Sequence, residues 1–181
     1  MKKVLSLVLC AMMVLTLVAC GSKNNGDAGK GGVGDTMPLT EMAEKLIEGM
    51  GEGDLPMMMP PMTLAELAEN VPLENGMTKE QVMDEMFKSY LFIPAIEGAE
   101  VVVHDPGIGS IPHSVVLLRL PEGADVEAVR KDIEANANPA KWVCVEAEKV
   151  NVVAHGNTIL LVMSQTKTAD TIADNFNALW A

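Results

Sequence analysis

The chain of 181 residues carries 25 acidic against 13 basic side chains, a formal net charge of -12 at pH 7. So acidic a surface repels phosphate backbones and anionic lipid headgroups, which argues against a nucleic-acid partner and against a domain lying flat on a membrane. Three cysteines are too few for a disulfide scaffold, so stability has to come from burial.

Residues 1–19 have the parts of a secretory signal: basic Lys2 and Lys3, an apolar run from Val4 to Val18, and small Ala19 at the cut. The run falls short of the roughly 20 residues needed to cross a bilayer. Leu17-Val18-Ala19-Cys20 followed by Gly21 resembles the lipobox of bacterial lipoproteins. The resemblance implies a diacylglyceryl thioether on Cys20 and loss of everything before it, leaving the chain anchored to the cell membrane and facing the extracytoplasmic side. Two acyl chains hold a protein stably where one binds only marginally. Cys10 would leave with the signal and Cys20 would carry lipid, so Cys144 would keep the one free thiol. Losing Lys2 and Lys3 leaves 11 basic residues and a net charge of -14.

Residues 20–37 are rich in Gly, Asn, Asp and Lys, the composition of a disordered tether. As a flexible coil of about 17 residues it would span on the order of 20 to 25 Å. From there Leu39, Ala43, Leu46, Ile47 and Met50 recur at helical spacing, with Glu41, Glu44, Lys45 and Glu48 between them, until Gly49, Gly51 and Gly53 end the pattern. Thr63 with Glu66 and Thr78 with Gln81 have capping-box spacing and open short helices over Leu64 to Glu69 and Lys79 to Tyr90.

Past Glu97 the pattern turns to strands at Glu100 to His104 and Ser114 to Leu120, with a Pro- and Gly-rich loop from Asp105 to Pro112 between them. A helix follows a cap near Asp125 and turns Val126, Val129, Ile133 and Ala137 inward. Lys149 to Ala154 and Thr158 to Ser164 form a hairpin around Gly156-Asn157, where Gly supplies a positive φ. The last helix presents Ala169, Ile172, Ala173, Phe176, Leu179 and Trp180. The expected fold is a single α+β domain over residues 38–181: short helices to residue 96, then a ββα-ββα section. Its antiparallel sheet of about four strands would carry the helices on one face, with a weak internal repeat.

The lipobox, the Leu55-Pro56-Met57-Met58 segment after a short acidic helix, and the closing ββα block ending in Gly156-Asn157-Thr158-Ile159-Leu160-Leu161-Val162 together resemble a known family. It comprises small lipoproteins of Gram-positive, Clostridia-type bacteria that carry domain of unknown function 4358. The likeness runs from about Leu39 to Leu179 and departs at Pro56 to Asn75 and at Asp105 to Pro112. It implies membership and location, and no reaction or site residues.

The stretch Met57-Met58-Met59-Pro60-Pro61-Met62 makes Met57, Met58, Met59 and Met62 the candidate binding residues. Thioether sulfur suits Cu(I), and methionine is equally a gap-filler and a residue of docking surfaces. His104, His113 and His155 show no metal-ligand spacing, and no calcium loop is present. There is no GxSxG elbow, P-loop, Cys-x-x-Cys or dinucleotide fingerprint, so no cofactor and no enzyme are expected. Cys144, inside Trp142-Val143-Cys144-Val145, is expected to be a small buried hydrophobe. Glu41, Glu44, Glu48, Glu52 and Asp54 fit a solvated helix face. The sequence points first to a surface interaction or accessory domain with an envelope protein as partner. Second comes a small-ligand or metal-binding lipoprotein using residues 56–62.

Overall fold

Val115-Val116-Leu117-Leu118 and Ile159-Leu160-Leu161-Val162-Met163 are apolar at every position, so neither strand has a face suited to water. In the computed structural model, which describes residues 32–51, 53–71 and 76–181, these runs are β3 (Ser114–Arg119) and β5 (Thr158–Ser164). They pair antiparallel at the centre of a five-stranded sheet. β2 (Glu100–His104) flanks β3, and β4 (Lys149–His155) flanks β5 through the expected hairpin, in which Gly156 has φ 55°. A two-residue strand, β1 (Met62–Thr63), pairs with β2 at the edge and completes the order β1-β2-β3-β5-β4.

Helices cover both faces of this antiparallel sheet, where one covered face was expected. Val102, Val115, Leu117, Leu160 and Val162 pack against α1 (Leu39–Ile47) and α5 (Thr166–Ala178). Val101, Val103, Val116, Leu118, Ile159, Leu161 and Met163 pack against α2 (Leu64–Glu69), α3 (Lys79–Leu91) and α4 (Val126–Asn136). Two consecutive apolar residues on a strand point to opposite sides, so a continuous apolar run needs cover on both. The internal repeat falls with this. A twofold axis normal to the sheet would exchange antiparallel β3 and β5 while keeping α4 and α5 on one face, and they lie on opposite ones.

Local signals held where the bonding is short-range. Both capping boxes close reciprocally, Thr63 with Glu66 and Thr78 with Gln81, and Asp125 accepts from the Ala128 N–H at 3.0 Å. α3 ends at Phe92, whose left-handed φ of 63° turns the chain before Pro94 is reached. No helix among the described residues is long and apolar enough to cross a membrane.

The described residues start at Gly32, and those before the expected boundary at residue 38 already pack on the domain. Val33–Asp35 form a 3-10 turn, Met37 enters the core, and the Trp180 indole N–H donates to Asp35 Oδ1 at 2.9 Å. Gly34 lies so close to that indole that a Cβ there would meet the ring at 2.3 Å, so glycine is what lets the strap lie flat. Arg119 Nη2 donates to the Met37 carbonyl at 2.8 Å and secures it further. The signal peptide, Cys20 and the expected tether up to residue 31 lie outside the described residues.

Candidate functional site

Two prolines shape the methionine segment. Pro60 and Pro61 have no N–H to give to a ladder, and between the Met58–Pro106 bridge and the Met62–Val103 pair the methionine side holds one residue more than β2 does. The bulge leaves the segment held by a few bonds: the Met59 N–H donates to the Asp105 carbonyl at 3.0 Å, and the Gly107 N–H to the Met57 carbonyl at 3.2 Å. Met57 (79% exposed) and Met59 (51%) face solvent, while Met58 and Met62 are half-buried. The four candidate side chains are thus divided between solvent and the protein. Ile108, 52% exposed on the adjoining loop, adds a third apolar side chain to the outer surface. Gly107 admits this approach, since a Cβ there would stand 3.1 Å from Met59 Sδ. The methionines were conspicuous in the sequence, and Ile108 was not, because its place beside them depends on pairing between residues fifty apart.

Beneath this lip the sheet ends in buried polar side chains. His104 and His113 are both buried; His104 Nδ1 donates to the Ala43 carbonyl at 3.3 Å, and His113 Nδ1 shares a 2.9 Å hydrogen bond with Ser164 Oγ. His113 Nε2 has no partner among the described residues. Burial, assisted by the nearby His104, pushes the His113 pKa down to about 4. Burial also lowers that of His104, against the Ala43 carbonyl and the charges of Asp105 and Glu44.

Strand alternation places a second set on the opposite face. Lys141 Nζ donates to Ser114 Oγ at 3.1 Å and stands 5.1 Å from the ring centres of both Tyr90 and Trp142. Burial lowers the Lys141 pKa, and the charge of Asp105 opposes that shift. Burial raises the Asp105 carboxyl, with Lys141, Ser114 and the Val115 N–H pulling it back. Lys beside Ser is a pairing used for nucleophilic catalysis, but a nucleophile must reach its substrate, and Ser114 has no exposed surface. Lys141, Ser114 and Asp105 thus gather in the buried layer of one face, and the sheet separates them from the histidines.

His155 belongs to the strap: its Nε2 bonds Asn177 Oδ1 at 2.9 Å and its ring stacks on Trp180 at 5.1 Å. Among the described residues no three His, Cys, Asp or Glu side chains gather as metal ligands.

No family model, curated protein or solved structure matches the chain.

Cys144 corrects a further expectation. It is exposed, with a left-handed φ of 66°, because residues 141–147 form a loop in which Trp142 turns inward against the core while Val143 and Cys144 face out. Its apolar neighbours had suggested burial. Glu41, Glu44 and Glu48 line the exposed face of α1, and Asp54 pairs with Lys167 at 2.8 Å, which holds its carboxyl below the usual range. Glu52 lies outside the described residues. A cleft of ≈ 400 Å³ opens between α2 and α3, lined by Ala65, Ala68, Val71, Val82 and Met83, away from residues 56–62.

Proposed function

We propose that the protein is an exported bacterial lipoprotein, held on the extracytoplasmic side of the cell membrane by lipid on Cys20. Its folded domain serves as a non-enzymatic interaction or accessory module, and its family is that of domain of unknown function 4358. Anchorage is supported by Leu17-Val18-Ala19-Cys20-Gly21 at the end of a 15-residue apolar run from Val4 to Val18. The observation that carries the interaction role is the exposed apolar lip of Met57, Met59 and Ile108 on a well-packed sheet edge. Below it His104 bonds the Ala43 carbonyl, His113 bonds Ser164 Oγ, and Lys141 donates to Ser114 Oγ, a hydroxyl with no exposed surface.

Cross-linking in intact cells tests the reading. The wild-type chain is expected to give a discrete cross-linked species that is lost on Cys20→Ala and in a chain ending at residue 37. An equal yield from the shortened chain would take the interaction away from the folded domain. Persistence in Cys20→Ala would show that anchorage does not serve it.

A further inference from the structure

His104 and His113, which the interaction role does not use, share one face at one end of the sheet. In the β2–β3 register His104 stands opposite Val115, so His113, two residues before Val115, is its diagonal neighbour on the same side. Diagonal positions of this kind lie about 7 to 8 Å apart, within reach of ring side chains. The β3–β5 register sets His113 against Ser164, the last residue of β5, and the 2.9 Å hydrogen bond between them agrees. α1 covers this face, and its Ala43 carbonyl takes the bond from His104. Both side chains are all but fully buried, His113 at 1% exposure and His104 at 3%. Their separation in sequence matches no ligand motif, because a strand pairing rather than a helical turn brings them together.

Each imidazole is held by the same nitrogen. Nδ1 is tied to a group outside the pair, the Ala43 carbonyl for His104 and Ser164 Oγ for His113. The two nitrogens of an imidazole point in diverging directions. Bonded through Nδ1 to β5, the His113 ring therefore aims Nε2 away from β5, to the side of β3 on which β2 carries His104. That Nε2 is buried and has no partner among the described residues. The Met59 carbonyl lies near the His104 ring, outside hydrogen-bond geometry. A histidine whose Nδ1 is anchored on a polar neighbour while Nε2 stays free is arranged as metal-bound histidines are, the outer bond fixing the tautomer and the ring orientation. Burial keeps both rings in the neutral form that a metal requires.

The surroundings select the metal. Val102, Val115 and Val162 share the face, and among the described residues no Asp, Glu, Cys or further His joins the two rings as a third ligand. Two ligands are too few for zinc, which takes four in a closed site. A doubly charged ion would also be buried here without a carboxylate bound to it. Cu(I) carries one charge, accepts imidazole nitrogen and is satisfied by two ligands in line. We infer that His104 and His113 bind one Cu(I) ion through their Nε2 atoms, inside the domain and without the methionine thioethers. The site is independent of the interaction role above.

The test uses the unlipidated chain from residue 20, which keeps every described residue, with Cys20→Ala and Cys144→Ser so that no thiol competes. One equivalent of Ag(I), a redox-silent ion with the same preference for two nitrogen ligands, is added and followed by the 15N resonances of the histidine rings. Nε2 of His104 and of His113 should shift, and that of His155, bonded to Asn177 at the other end of the sheet, should stay. Cu(I) is then titrated without oxygen against a chromophoric Cu(I) chelator, and one ion per chain is expected. His104→Gln and His113→Gln should each weaken binding at least about a hundredfold, since loss of a ligand costs no less than loss of the outer bond that holds it. Met57→Leu with Met59→Leu, which removes the exposed sulfurs and keeps their bulk, should stay within about twofold. An unmoved His113 Nε2 resonance overturns the inference without relying on any His variant to fold, and leaves a buried water as the partner of that nitrogen. Binding that survives either His variant overturns it as well. A tenfold loss in the Leu pair overturns it in favour of a thioether site at the surface.

Discussion

Leu117→Ala and Leu118→Ala are each expected to destabilise the fold by about 2 to 5 kcal/mol, although the two residues are neighbours in the chain. Both are fully buried, Leu117 against α1 and α5 and Leu118 against α3 and α4. Each truncation removes the transfer free energy of a large side chain and leaves a cavity in a layer that cannot fully collapse around it. A sheet covered on one face alone would make just one of the pair costly, because adjacent strand residues point opposite ways. Urea denaturation measures this directly: both midpoints should fall with the slope unchanged, while the exposed control Val143→Ala stays within about 0.5 kcal/mol of wild type. If either Leu variant matches that control, one of the two helical layers is not part of the stable core.

Acid should weaken the protein well before its carboxylates are all protonated. His113 titrates near its ordinary 6.5 when unfolded and at about 4 when folded, so between those values the unfolded chain binds more protons. Stability from this group is present above pH 6.5 and is lost as pH falls toward 4, by about 2 kcal/mol between pH 7 and pH 4.5. His104 acts in the same direction. Asp105 acts in the opposite one: its folded pKa is raised, so its contribution is largest in acid and declines as pH rises through that folded value. Comparing wild type with His113→Gln isolates the one group. The variant starts lower, because Ser164 Oγ loses its partner, yet its unfolding free energy from urea titration should fall by about 2 kcal/mol less between pH 7 and pH 4.5. Identical pH slopes for the two proteins would show that His113 is not held neutral by burial.

The features legible in the sequence are those that neighbouring residues decide. Thr63 with Glu66, Thr78 with Gln81, Asp125 and the Gly156 turn set helix starts and a hairpin through bonds spanning a few positions. The antiparallel α+β class followed from them. Helices on both faces were also written in the sequence, in unbroken apolar runs such as Ile159 to Met163, and the grouping into two ββα units obscured it. Three other features needed partners distant in the chain. The strap at Gly34 is ordered by Trp180, and a glycine-rich stretch alone reads as disorder. His113 meets Ser164 because β3 and β5 pair in a register that composition does not reveal. The methionine segment pairs with the β2–β3 loop despite two prolines, which hid its strand character. Cys144 failed differently, since apolar letters in a loop after Pro139 do not imply burial.

Anchorage at Cys20 is tested most directly by the intact mass of the chain recovered from the membrane fraction, for wild type and Cys20→Ala. A chain beginning at Cys20 with the added mass of a diacylglyceryl group, absent from the variant, is the predicted result. An unmodified chain free in the medium would contradict it, leave Cys20 as a thiol able to pair with exposed Cys144, and make a secreted protein the starting point instead.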